Sequence, residues 1–198
     1  MQNDLENRDN STGGHIKRTS DVIGIFVETM KENPRFQLSD EFCEDLVKAA
    51  PMHDLGKIAI EDRILQKPGR FTEEEFAVMK THAEKSAEIV QKILRGVEEE
   101  HFVNAAVNVA RYHHEKWNGQ GYPMGLSGEE IPLEARIMAI ADVYDALVSK
   151  RCYKEPMSFS KAYDIIIESM GSHFDPGLEP VFTLSRGKLE AYYANAEA

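Results

Sequence analysis

A histidine and an aspartate stand side by side at His53-Asp54, between Met52 and Leu55, and Lys57 follows three positions after the aspartate. An imidazole offers a neutral nitrogen ligand, and a carboxylate offers a hard oxygen that can bridge two cations. An ionised Asp among apolar neighbours needs a partner, and a metal ion is one such partner. Four more histidines, His15, His82, His113 and His114, fall beside apolar residues or at helix ends, and Asp142 lies in an almost wholly apolar run. Read singly, each has an ordinary explanation: His82 as a hydrogen-bonded core histidine, Asp142 as a partner of Arg136 or Lys150 or as a helix cap. Read together, five imidazoles and two carboxylates would each need a separate buried partner, so a shared cationic centre is the simpler reading. Seven mixed nitrogen and oxygen ligands are too many for one ion and suit two mid-row divalent ions such as Fe, Mn or Zn, with Asp54 between them. Two ions about 3.5–4 Å apart acidify a shared water and brace an in-line displacement at phosphorus. His101 and His173 fall outside this scheme and are assigned to surface or packing roles.

These residues must be carried by helices. Apolar positions recur at helical spacing in runs of 10 to 20 residues, and β-branched alternation is nearly absent, so the expected fold class is all-α, with seven to nine helices. The first long helix is expected over 12–33, ended by Pro34, and the next over 40–52, capped by Ser39 or Asp40 and delivering His53-Asp54 at its end. The stretch 58–69 reads as a loop broken by Lys67-Pro68-Gly69. Thr72-Glu73-Glu74-Glu75 reads as a capping box opening a helix over 73–95 that carries His82. A helix over 98–115 ends in His113-His114-Glu115. The stretch 117–128 holds four glycines and a proline, but Trp117, Tyr122 and Leu126 give it apolar anchors, so a structured loop is expected. A helix over 133–150, apolar on nearly every face, belongs at the centre of the domain and places Asp142 inside the core. Shorter helices are expected over 159–170, 176–184 and 186–195.

Length and charge narrow the function. A chain of 198 residues suits one domain, and 42% hydrophobic content is enough for a buried core. No window approaches 18 consecutive apolar residues, so no membrane span is expected. Residues 1–18 carry no apolar run like that of a signal peptide. The two cysteines, Cys43 and Cys152, lack metal-type spacing and fit a reducing interior without a disulfide, which points to a cytoplasmic location. A net charge of −11 repels a long phosphate backbone, which argues against long nucleic acid as a partner and leaves room for a small phosphorylated ligand.

The motifs carry a resemblance. His15, His53-Asp54 and Asp142 match the H…HD…D pattern of the HD phosphohydrolase superfamily. His53-Asp54-Leu55-Gly56-Lys57, His113-His114-Glu115 and Asn118-Gly119-Gln120-Gly121-Tyr122-Pro123 resemble the HD-GYP family of cyclic di-GMP phosphodiesterases, and the likeness runs from about Glu6 to Phe182. The resemblance implies an HD-domain helical bundle over 11–198, with 1–10 as a lead-in. It implies one ion held by His15, His53, Asp54 and Asp142 and a second held by Asp54, His82, His113 and His114. Iron or manganese is the expected metal, with Zn, Ni or Mg as alternatives. Lys57, Arg151 and Lys154 correspond to cations that contact the ligand's phosphates, and Tyr122 to the loop that helps build the site and serves as an interaction surface. Three departures stand out. Ser11 occupies a position that is acidic in members binding a third metal, so two ions are expected. Asn118 stands where Asp is usual, keeping the turn-forming capacity without the charge. His82-Ala83-Glu84-Lys85-Ser86 replaces the family's His-Pro-x-x-Gly.

The expected reaction is metal-assisted hydrolysis of one 3′–5′ phosphodiester of cyclic di-GMP to pGpG, followed by slower cleavage to GMP, with Asp54 and Lys57 as the catalytic residues. One rival keeps the chemistry on another cyclic dinucleotide such as 3′,3′-cyclic GMP-AMP. The other is a catalytically weak module that binds nucleotide or a protein partner through the loop 117–128. An upstream sensory or receiver domain, suggested by Leu5-Glu6-Asn7-Arg8-Asp9, and a homodimer complete the expectations.

Overall fold

The computed structural model describes residues 13–150 and 156–196. Among them lie eight α-helices: α1 (Gly13–Glu32), α2 (Asp40–Ala49), α3 (Asp62–Leu65), α4 (Glu73–Ile93), α5 (Glu100–Tyr112), α6 (Leu133–Val148), α7 (Phe159–Glu168) and α8 (Glu179–Ala196). The all-α expectation holds. Val22, Ile23, Phe26, Val27 and Met30 form the buried stripe of α1 at the i, i+4, i+8 spacing of one helix face. That stripe packs against α6 and α8, while α5 packs on α4 and α2 and reaches α6. Eleven of the sixteen residues of α6 are buried, which makes it the helix around which the others are laid. Each fully buried Phe, Ile or Leu of this core contributes about 1.5–3 kcal/mol relative to exposure, enough to hold the polar centre described below in place.

Several boundaries differ from the sequence expectation, each for a local reason. Pro51 ends α2 at Ala49, and the chain tightens into a 3-10 turn over Ala50–Met52. The stretch expected as a loop from 58 begins in the end of the 3-10 turn Leu55–Ala59 and contains the short helix α3. The capping box of α4 forms as expected, Thr72 Oγ1 accepting from the Glu75 N–H and Glu75 Oε2 from the Thr72 N–H at 2.7 Å. The two helices expected near 176–184 and 186–195 are instead one, α8, entered through a 3-10 turn at Pro176–Leu178. Gly187 lies on its solvent side, and burial of Phe182, Leu189 and Tyr193 outweighs the roughly 1 kcal/mol that a mid-helix glycine costs. Cys43 is buried and free, Cys152 lies outside the described residues, and no described helix is long and apolar enough to cross a membrane.

Candidate metal centre

Five separate pieces of chain deliver the polar groups. His15 comes from the first turns of α1, His82 from the middle of α4 and Asp142 from α6. His113 caps the C-terminus of α5 and His114 follows it. His53 and Asp54 sit in the turn between the two 3-10 segments, off the helix that was expected to carry them. The turn is fixed to α4 at Gly56, whose N–H donates to Ser86 Oγ at 2.7 Å. A Cβ at Gly56 would lie 2.1 Å from the His82 carbonyl oxygen, so only glycine permits this approach. Ser86 is the position where the HD-GYP pattern carries glycine, and here its hydroxyl serves as the anchor.

The side chains converge on one buried carboxylate. Asp54 Oδ2 lies 3.3 Å from His53 Nε2 and 4.0 Å from His15 Nε2, and Asp54 Oδ1 lies 3.3 Å from His82 Nε2 and 3.8 Å from His113 Nε2. His15 Nε2 is 3.4 Å from Asp142 Oδ1. Nε2 atoms face each other at 3.2 Å between His15 and His53 and at 3.1 Å between His82 and His114. The far nitrogens explain the orientation. His53 Nδ1 donates to the Ala50 carbonyl at 2.8 Å, His82 Nδ1 to Met79 at 2.7 Å and His113 Nδ1 to Val109 at 2.9 Å. A carbonyl only accepts, so each Nδ1 carries the proton and each Nε2 turns toward the centre, as in imidazoles prepared for a metal.

Two sets result, Asp54 with His82, His113 and His114, and His15 with His53 and Asp142, the potential ligand atoms within 4.8 Å of one another in each. Among the described residues, Asp54 Oδ1 and His113 Nε2 are buried without a hydrogen-bond partner. Orphaned groups of this kind cost about 1–3 kcal/mol each, more when charged. Both are Lewis bases pointing inward, so the residues fit divalent cations. The electrostatics agree. Burial would raise Asp54, but Lys57, whose Nζ donates to Oδ2 at 2.6 Å, and the neighbouring imidazoles hold it well below the usual carboxylate range. Burial and the charge of Asp54 push Asp142 upward. Burial depresses His82 to about 4 and drives His113 and His114 well down, so all three are neutral ligands at physiological pH.

Asp142 departs from expectation in one respect. It is not enclosed by the core: its side chain is 17% exposed and opens onto the centre, and Arg136, named as a partner for it, bonds Asp175 at 2.6 Å instead. Arg151 and Lys154 lie outside the described residues, as do Ser11 and the lead-in 1–10. His101 is exposed and His173 stacks on Phe174, in keeping with surface and packing roles.

The loop 117–128 closes one side. Tyr122 stacks on His114 with ring centres 4.7 Å apart, and its N–H donates to the His114 carbonyl at 3.2 Å. Glu115 is buried and accepts the N–H groups of Met124, Gly125 and Leu126 at 2.7, 3.1 and 3.1 Å, which holds the loop against the end of α5. Asn118 Oδ1 accepts from the Gln120 N–H at 3.0 Å, the turn-forming role kept without the aspartate's charge.

Sequence reasoning missed Asp145. It is fully buried, and its Oδ2 accepts from His15 Nδ1 at 2.8 Å. Its spacing from Asp142 was the available signal: two carboxylates three positions apart on a buried helix share a face.

Comparison with known proteins settles the family. The HD domain profile matches residues 10–178. This chain belongs to the HD domain family. The chain is 44% identical over 192 residues to a cyclic di-GMP phosphodiesterase of Vibrio cholerae, covering 96% of this chain and 39% of that protein. It is 37% identical over 178 residues to the 3′3′-cGAMP-specific phosphodiesterase 2 of the same organism, covering 90% of this chain and 32% of that protein. Among solved structures, a cyclic GMP-AMP specific phosphodiesterase of V. cholerae superposes with a TM-score of 0.61 at 22% identity, over 91% of this chain and 45% of that one, a likeness of fold. The chain thus spans about two fifths or less of the length of these two curated relatives.

The HD domain's charge balance leads to a test. Burial alone would depress His53, but Asp54 beside it outweighs that and raises it to about 9. A proton on His53 therefore competes with an ion at neutral pH, and metal affinity rises as pH climbs toward about 9. Titration of Mn2+ at about pH 7.5 in buffers of different ionisation enthalpy is expected to show about one proton released from this group. Uptake without proton release contradicts the assignment.

Proposed function

We propose that this HD domain is a metal-dependent cyclic di-GMP phosphodiesterase of the HD-GYP type, a cytoplasmic signalling output domain that opens one 3′–5′ phosphodiester to give pGpG and, more slowly, GMP. The observation that carries the reading is the convergence of four imidazole Nε2 atoms within 4.0 Å of the one carboxylate, Asp54. Its resemblance to a cyclic di-GMP phosphodiesterase along 96% of the chain supports it. Two divalent ions, iron or manganese by preference, would be held by His15, His53, Asp54 and Asp142 and by Asp54, His82, His113 and His114. When bound, such ions supply Lewis acidity toward phosphate oxygens and lower the pKa of water.

The protein's own groups do the rest. Lys57, with its side chain only 11% exposed, sets an ammonium beside Asp54 where negative charge grows on the phosphoryl oxygens. The hydrogen bonds at Nδ1 hold His53, His82 and His113 fixed, so little reorganisation is needed during reaction. A bond forms from water oxygen to phosphorus, the bond from phosphorus to the 3′ oxygen breaks, and that oxygen takes a proton. Tyr122, Arg151 and Lys154 complete the proposed substrate contacts. Met124, 60% exposed in the loop 117–128, gives that loop an apolar point for a protein partner.

Similarity to a 3′3′-cGAMP-specific phosphodiesterase supports a second substrate reading, 3′,3′-cyclic GMP-AMP. Turnover of both dinucleotides by the Mn2+- or Fe2+-loaded protein, followed by chromatography of products, tests the proposal. Linear pGpG formed faster from cyclic di-GMP than the corresponding product from the mixed dinucleotide is expected. Turnover of the mixed dinucleotide alone favours the second reading, and metal and ligand bound without turnover of either favours a binding module.

A further inference from the structure

Asp145 receives five hydrogen bonds, from α1, from α8 and from Ser149 at the end of its own helix. Oδ1 accepts from Arg18 Nε at 2.6 Å, Tyr193 Oη at 2.7 Å and Ser149 Oγ at 2.9 Å. Oδ2 accepts from His15 Nδ1 at 2.8 Å and Arg18 Nη2 at 3.1 Å. A buried carboxylate facing an arginine fork is ionised and only accepts, so His15 Nδ1 must carry the proton. His15 differs here from His53, His82 and His113, whose Nδ1 protons rest on carbonyls of their own neighbourhood. Its partner stands 130 residues away in sequence, on α6, and is itself held by Tyr193 of α8.

We infer that Asp145 is a positioning residue, fixing His15 in the tautomer that leaves Nε2 unprotonated toward the centre, and that Tyr193 makes this arrangement depend on the seating of α8. The inference rests on the metal-centre reading above. An ion pair of Asp145 with Arg18 would by itself stabilise the fold without touching the tautomer, and the variant Asp145→Asn separates the two roles. The amide NH2 cannot face Arg18 Nε at 2.6 Å, so it takes the Oδ2 position, where the Arg18 contact is longer and His15 can switch from donor to acceptor. That switch moves the His15 proton to Nε2, onto the atom that faces the centre.

Two readouts decide the matter. In metal-free protein, long-range nitrogen–proton NMR of the histidine side chains is expected to show His15 as Nδ1–H in the wild type and Nε2–H in Asp145→Asn. In Mn2+ titrations the wild type is expected to take two ions, and Asp145→Asn to keep one at wild-type affinity while the other weakens about 10–100-fold. Tyr193→Phe keeps the aromatic ring and removes only the hydroxyl; it is expected to weaken the same ion by a smaller factor, about threefold or more. It carries the test if Asp145→Asn does not fold. An unchanged tautomer with both ions bound normally in Asp145→Asn, equal weakening of both ions, or wild-type affinities in Tyr193→Phe would each overturn the inference. A wild type that takes no ion overturns the metal-centre reading itself, a distinct result.

Discussion

Asp54→Asn is expected to lower the proposed cyclic di-GMP hydrolysis to about one thousandth of the wild-type rate while leaving a folded helical protein. The amide keeps the shape of the carboxylate and loses the charge that both halves of the centre share. Asp54 reaches both sets, its Oδ2 toward His15 and His53 and its Oδ1 toward His82 and His113. The lost charge also faces Lys57, whose Nζ donates to Asp54 Oδ2 at 2.6 Å in a mostly enclosed position, so the substitution weakens that ion pair too. Steady-state rates at saturating Mn2+, with circular dichroism as the fold control, check the outcome. Activity within tenfold of wild type would remove Asp54 from the chemistry. His101→Ala, on an exposed residue, is the matching substitution without effect.

The second large effect belongs to a residue with no side chain. Gly56→Ala places a Cβ 2.1 Å from the His82 carbonyl oxygen and 2.4 Å from the Ser86 amide nitrogen, both backbone atoms of α4. Neither can rotate away, so the turn that carries Asp54 and Lys57 must withdraw from the helix that carries His82. Overpacking of this kind costs about 1–3 kcal/mol or more, and in a domain of this size each kcal/mol shifts Tm by about 2–4 °C. A fall of about 5–10 °C in Tm is therefore expected by calorimetry, together with a loss of activity larger than the loss of stability explains. Unchanged Tm would mean that the turn and α4 do not approach as closely as described.

How much of this was legible beforehand depends on the range of the interaction involved. Helices such as α1 and α4 follow from local periodicity and from Thr72 and Glu75, so the chain announces them. The convergence of His15, His53, Asp54, His82, His113, His114 and Asp142 was legible from residue type and motif spacing, because buried imidazoles and carboxylates need a common partner. Asp145 was not. Asp142 and Asp145 lie on one face of α6, and nothing in their spacing tells which meets the centre and which supports it. That depends on donors from α1 and α8, among them Arg18 127 residues away and Tyr193 48 residues away. For the same reason α8 reads as two helices, 176–184 and 186–195, until the burial of Leu189 and Tyr193 is known. The exposure of Asp142 follows from its place at the rim of the centre, which an apolar periodicity cannot distinguish from the core behind it.

The most direct measurement of the central claim is anomalous X-ray diffraction from crystals grown with Mn2+ or Fe2+. Two peaks per chain are expected, one among His15, His53 and Asp142 and the other among His82, His113 and His114, with Asp54 touching both. A single peak away from Asp54, or no peak at these residues in metal-loaded crystals, contradicts the account.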